Sequence, residues 1–117
     1  MHTRIQGDRG EDRVAQELER DGFTIIARNY AISTGEVDII AYKGSLTIFV
    51  EVKTRTSYAQ FDLSEVVSVA KQKKIMRAAK HWISRHSSVV SSYRFDVALI
   101  EHEEVTYIPD AFHVQDV

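Results

Sequence analysis

Gly35-Glu36-Val37-Asp38-Ile39-Ile40-Ala41-Tyr42-Lys43-Gly44-Ser45-Leu46-Thr47-Ile48-Phe49-Val50-Glu51-Val52-Lys53 reads as two apolar strands joined by a tight turn, with charges gathered at the open end. Gly44-Ser45 between two hydrophobic runs is a two-residue hairpin signal, Gly supplying the positive φ of a type II′ turn. With those two residues as the loop, Lys43 faces Leu46, Tyr42 faces Thr47 and Ile40 faces Phe49. The same register sets Asp38 opposite Glu51 and Glu36 opposite Lys53. Side chains alternate along a strand, so these positions share one face. Val37, Ile39, Ala41, Ile48, Val50 and Val52 line the other face and read as core.

The charged end is a local conflict. Directly opposed side chains have Cβ atoms about 4.5–5.5 Å apart, and like charges at that distance destabilise a sheet. A divalent cation between Asp38 and Glu51 turns the repulsion into coordination, because hard cations such as Mg²⁺ take carboxylate oxygens. The competing reading is a solvated face with a Glu36–Lys53 ion pair, worth roughly 0–1 kcal/mol. The hairpin pattern leaves both open.

The chain of 117 residues reads as a single domain of ordinary globular composition, 44% hydrophobic and 27% charged, which excludes a disordered chain. It has no cysteine, so disulfides, thiolate metal sites and a cysteine nucleophile are excluded. No signal-peptide pattern and no apolar run of membrane-spanning length is present, and a soluble cytoplasmic protein is the expectation. Net charge is −2, but the charges are segregated. Residues 66–94 carry Lys71, Lys73, Lys74, Arg77, Lys80, Arg85 and Arg94 and no acid, whereas residues 95–117 carry acids and no Lys or Arg. Such a chain can grip phosphate locally while staying near neutral overall.

Along the chain, Asp8-Arg9-Gly10-Glu11 predicts a capped helix start, with a helix over about residues 9–21 that Gly22 stops. Val14, Ala15 and Leu18 form its inward stripe, and Glu11 lies on that face; it either closes the capping box or joins the carboxylates of the hairpin. A strand follows from Phe23 to about Tyr30 and leads into the hairpin as a meander. After Lys53 a polar, aromatic loop carries Arg55, Tyr58 and Phe61, a composition that suits base stacking or packing back onto the core. Ser64 to about Val67 suggests a helical turn, and a long helix runs from about Val69 to His86. Its apolar stripe is Ile75, Met76, Ala79, Trp82 and Ile83; Gln72 extends it and either orients a site carboxylate or caps a strand end. Lys71, Lys73, Lys74, Arg77, Lys80 and Arg85 are assigned to the outer face, as a phosphate-binding surface or a solvated helix back. His81 and His86 read as surface residues. A strand from Tyr93 to Glu101 contains Asp96, read as structural and paired with Arg94 or a helix end. A short partner strand at about Val105 to Ile108 should end at Pro109.

A Glu in the first helix, an Asp on one strand and Glu-x-Lys on the next resemble the PD-(D/E)xK nuclease superfamily, through Glu11, Asp38 and Glu51-Val52-Lys53. Gly10-Glu11-Asp12, Ala27-Arg28-Asn29-Tyr30, Gly35 to Ala41, Phe49 to Arg55, Lys71-Gln72-Lys73 and Arg94 to Val97 narrow the likeness. Together they resemble the YraN-like uncharacterised family, UPF0102, over nearly the whole chain. The superfamily's Pro before the Asp is Val37 here. The resemblance implies an α/β (α+β) restriction-endonuclease-like core similar to archaeal Holliday-junction resolvases, with a mixed central sheet flanked by helices in the order α-β-β-β-α-β-β. It implies Mg²⁺ or Mn²⁺ held by Asp38, Glu51 and Glu11, with Glu11, Asp38, Glu51 and Lys53 catalytic and Glu36 and Gln72 in support. DNA is the implied partner, with RNA as the alternative; Arg55, Lys71, Lys73, Lys74, Arg77 and Lys80 would bind its backbone, and a homodimer follows by analogy. The expected activity is metal-dependent phosphodiester hydrolysis on branched or structured DNA. The competing expectation is a nucleic-acid-binding or scaffold module that keeps the fold without turnover.

Overall fold

A computed structural model describes residues 2–55, 66–86 and 92–113, with side chains from Arg9 onward. Helix α1 spans His2–Arg20, and strands β1 (Thr24–Ile32), β2 (Gly35–Lys43) and β3 (Leu46–Arg55) follow it. Helix α2 spans Val69–His86, and strands β4 (Ser92–Glu101) and β5 (Glu104–Phe112) close the chain. The order is the expected one. The sheet runs β1-β2-β3-β4-β5; β3 and β4 are parallel and the other neighbours antiparallel. Parallel neighbours need a crossover, and α2 supplies it. No helix among the described residues is long and apolar enough to cross a membrane. The expected loop aromatics Tyr58 and Phe61, and the start of the turn expected at Ser64, lie outside the described residues.

The two helices cover opposite faces of the sheet. Val14, Ala15 and Leu18 of α1 pack with Ile39, Ala41, Ile48 and Val50. Ile75, Ala78, Ala79 and Trp82 of α2 pack with Ile40, Phe49, Phe95 and Val97. The hairpin is therefore buried on both sides through its middle, at Ile39, Ile40 and Ala41 and at Thr47, Ile48, Phe49 and Val50, which is why its apolar run is continuous. The hairpin register is as read from the sequence, from Lys43–Leu46 to Ile39–Val50, and Gly44 has a positive φ of 59°. Val37 departs from strict alternation: it packs with Ile40 under α2, not with Ile39 and Ala41.

Helix α1 begins well before the expected cap. Asp8 lies inside it, because the preceding residues already form helical turns and a single glycine such as Gly7 costs only about 1 kcal/mol. Glu11 is therefore a mid-helix residue and closes no capping box. The C-terminus ends as expected, in a left-handed Gly22 (φ 96°) with Phe23 N–H donating to the Leu18 carbonyl and Gly22 N–H to that of Glu19. Phe23 then packs in the cluster of Leu18, the apolar contact that accompanies this type of helix stop.

Strand β5 does not stop at Pro109; it runs on to Phe112. An edge strand tolerates Pro at an irregularity, and the β4–β5 register shifts between Phe95 and Val97. There Asp110, at φ 55°, turns its N–H onto Asp96 at 2.9 Å. Arg94 grips both oxygens of the same carboxylate at 2.8 and 2.9 Å, and the Tyr107 hydroxyl donates to it as well. Asp96 is fully buried and fully bonded, which is the structural role read for it. His81 is not a plain surface residue: it is half-buried, with Nδ1 2.6 Å from the Tyr30 hydroxyl, and so ties α2 to β1. His86 stacks on Trp82 with ring centroids 4.1 Å apart.

Gly35 is the closest contact between sheet and helix. A Cβ there would lie 2.0 Å from the Lys74 carbonyl oxygen, inside backbone that cannot yield without moving α2. Gly35→Ala should cost at least about 2 kcal/mol in chemical denaturation, whereas Gly44→Ala, which meets open space, should cost about 1 kcal/mol through φ alone. Equal losses at the two positions would refute the close approach.

Candidate metal centre

The ladder between β2 and β3 ends at Ile39–Val50, and there the strands part. β2 stays with β1 as far as Gly35, while β3 follows β4 in parallel as far as Arg55. Asp38 and Glu51 are the first residues in the fork. The Asp38 carboxylate accepts the Val52 N–H at 2.8 Å, which replaces the ladder bond that β2 no longer supplies. This bond also fixes the direction of Asp38. Glu51 is only 6% exposed, with Oε2 3.5 Å from Lys71 Nζ and Oε1 buried without a hydrogen-bond partner. Two ionised carboxylates can only accept, so Oε1 stays unpartnered unless the pair holds a proton or a cation.

The electrostatics follow from this geometry. Burial first, and then the Asp38 charge, push the Glu51 carboxyl up to about 8, against the pull of Lys71. Burial also raises Asp38, while the Val52 N–H and the contact with Glu51 lower it. Burial and then the Asp38 charge raise Glu11, and Arg28 works against them. All three carboxyls are shifted towards holding their protons, the response expected of acids drawn out of water with too little counter-charge.

Of the residues singled out from the sequence, Asp38 and Glu51 meet as expected. Glu11 is buried on α1 and lies 3.4 Å from Arg28, which also holds Asp12 at 2.6 Å. Among the described residues no three His, Cys, Asp or Glu side chains come together at metal-binding distance. Lys53 is exposed and forms no ion pair among the described residues, so the pairing expected with Glu36 is replaced. Glu36 instead lies 3.8 Å from Lys71. The parted strands carry Glu36 away from Lys53, and the tight seat of Gly35 brings the first turn of α2 over it.

Lys71 is the residue that sequence reasoning misplaced. It was assigned to the outer face of α2, yet it bridges Glu51 and Glu36 inside the site. A signal was present: Ile75, Ala78 and Trp82 follow it at four, seven and eleven residues, on a buried stripe. Ser68 Oγ accepts the Lys71 N–H at 3.2 Å and secures this first turn. Gln72 is buried and donates to the Val67 carbonyl at 3.1 Å, in the segment just before α2, not to a strand end or a site carboxylate as expected. Lys73, Lys74, Arg77 and Lys80 are exposed on the outside of α2, while Arg55 is half-buried with Glu101 3.8 Å away.

The donor set fits a hard divalent cation. Two carboxylates converge, one with an orphaned buried oxygen, and cations of this kind take oxygen ligands and keep several waters.

Residues 10–100 match the model of a family described as Uncharacterised protein family UPF0102. A UPF0102 protein of Alkaliphilus metalliredigens is 41% identical over 109 residues, covering 91% of this chain and 96% of that protein. One from Geobacter sulfurreducens is 38% identical over 118 residues, covering 97% and 92%. Among solved structures, Archaeoglobus fulgidus Hjc, described as a Holliday junction resolvase from an archaeal hyperthermophile, superposes with a TM-score of 0.57 and 21% identity. That match covers 89% of this chain and 72% of the other, and it shows a nuclease-like fold.

The raised carboxyls set a sign for pH. Glu51 binds its proton more tightly folded than unfolded, so the stability it adds is complete below its ordinary value of 4.5 and is lost as pH rises through about 8. Asp38 and Glu11 shift in the same direction. In metal-free buffer the thermal midpoint should fall by on the order of 10 °C from pH 5 to 8. Glu51→Gln should flatten most of that slope; an unchanged slope would show that Glu51 is not the group responsible. Lys71→Met, which removes the cation that lowers Glu51, should move the Glu51 titration midpoint in carbon-detected NMR above about 8.

Proposed function

We propose that this chain, which belongs to Uncharacterised protein family UPF0102, is a divalent-metal-dependent nuclease acting on DNA. One observation carries the reading: a buried, unpartnered Glu51 oxygen beside Asp38, at the point where β2 and β3 part. A purely structural carboxylate would be bonded as Asp96 is.

Asp38 and Glu51 would hold the ion, Mg²⁺ or Mn²⁺, with the Val52 N–H keeping Asp38 aimed. Such an ion would supply positive charge to a phosphate oxygen and a more acidic water. Lys53, exposed beside the fork, donates to the scissile phosphate as charge develops on it, an interaction worth most in a water-poor site. Lys71 neutralises part of the excess negative charge of Glu36 and Glu51. Glu11, tethered by Arg28, stands behind the pair as an outer carboxylate that orients water. Gln72 supports the site by holding the Val67 carbonyl. Lys73, Lys74, Arg77, Lys80 and Arg55 grip the backbone without reading bases, so affinity is salt-dependent. The likeness to a Holliday junction resolvase makes a four-way DNA junction the first substrate to try and suggests a homodimer; RNA is the alternative polymer. On this reading the 117 residues act as one nuclease-like domain, and a chain without cysteine suits a reducing cytoplasm.

A second reading, a nucleic-acid-binding module without turnover, is favoured by one observation. No third acid joins Asp38 and Glu51 among the described residues, and Lys71 already neutralises part of their charge.

Incubation with Mn²⁺ and duplex, flap and four-way DNA separates the readings. The nuclease should cut at least one of them, and Lys53→Ala should lose at least about 100-fold. Asp38→Asn should abolish Mn²⁺ binding by calorimetry. Binding of DNA without cleavage would leave the module, and no binding of DNA or RNA at low salt would sink both.

A further inference from the structure

On the far flank of α1 from Glu11, a cleft of about 460 Å³ opens between the helix and the ends of β3 and β4. Arg9 and Arg13 form one wall, Thr54 and Ile100 the floor, and Arg55 and Glu103 the other side. Gly10 explains why the helix lies so close here. A Cβ at that position would meet the Ile100 methyl at 2.9 Å and Thr54 Oγ1 at 3.0 Å. The arginines on either side of it, four residues apart on one helix flank, are thereby set over a floor with one hydroxyl and one apolar patch.

We propose that this cleft takes the phosphodiester backbone of a nucleic-acid strand, gripped by Arg9 and Arg13. The inference rests on the reading of this chain as a nucleic-acid-binding protein and adds a second grip to the basic face of α2. Three facts carry it. The guanidinium fork matches phosphate oxygens two at a time, and with Arg55 paired to Glu101 the lining still sets Arg9 and Arg13 against Glu103 and stays cationic. The arginine heads are open to a ligand: Arg9 is exposed and forms no ion pair among the described residues, and the Arg13–Glu17 pair, at 3.6 Å and nearly half exposed, is weak. The cleft also lies at the same open end of β3 as Lys53, with Thr54 turned to the α1 side and Lys53 to the other, so a backbone passing around that end can engage both. Neither arginine was singled out from the sequence, because Asp12 and Glu17 make α1 look like an ordinary mixed-charge helix back.

The test is fluorescence anisotropy of labelled four-way and single-stranded DNA across a salt series, without divalent metal. Arg9→Gln with Arg13→Gln should weaken binding at least about tenfold and reduce the slope of log affinity against log salt by about 2. Arg20→Gln, exposed on the same helix but away from the cleft, should change neither by more than a fraction of that. Inorganic phosphate at millimolar concentration should not displace DNA; if it does so from wild type but not from the double variant, the cleft is a small-anion site and the backbone assignment is overturned. Unchanged affinity and slope in the double variant, with losses in Lys73→Gln and Lys80→Gln, would overturn the inference and leave the nucleic-acid reading standing. No binding by wild type at low salt would remove both.

Discussion

A buried Glu51 and a half-buried Asp38 stand side by side where two strands part, and the loss of water raises the proton affinity of both. Everything around the fork bears on that constraint. The Val52 N–H, freed when β2 turns away from β3, steadies Asp38. Lys71 offsets Glu51 from the helix side, and Arg28 offsets Glu11 from β1. None of these contacts reaches Glu51 Oε1. A buried acceptor left unmade costs about 1–3 kcal/mol, more when charged, and a fold keeps such a deficit where a ligand can relieve it.

Two buried carboxylates in this sheet make the contrast concrete. Asp96 and Glu51 both sit in apolar strand sequence and both are hidden from solvent. Asp96 receives an arginine fork, a tyrosine hydroxyl and a backbone N–H, and through them it pins the irregular edge of β5 to β4. Its charge is satisfied within the fold. Glu51 has one lysine at 3.5 Å and a bare oxygen. Degree of bonding, not burial, separates these two acids.

The coupling between helix α2 and the fork depends on a missing side chain. Gly35 lets the Lys74 carbonyl approach the start of β2, and this seat carries Lys71 to Glu36 and Glu51. The first turn of α2 is then secured by Ser68, with Gln72 turned onto the Val67 carbonyl. One helix therefore serves two sides: a buried edge that tunes the carboxylates and an exposed cationic back.

The hairpin, its register and the meeting of Asp38 with Glu51 were legible in the sequence alone, because a two-residue turn and a period of two leave one arrangement that buries the apolar face. The element order was legible for the same reason: hydrophobic periodicity and glycine stops are local signals. Tertiary structure decided what depends on neighbours distant in the chain. It parted the strands beyond Ile39, β2 staying with β1 and β3 with β4, and so gave Glu36 to Lys71 and left Lys53 open. It carried β5 through Pro109 because an edge strand can bulge around a residue that donates no hydrogen bond. It set Arg9 and Arg13 over Thr54 because Gly10 lets a helix lie close on strands far away in sequence. Local periodicity determines which residues face a core; only packing decides which charges meet across it.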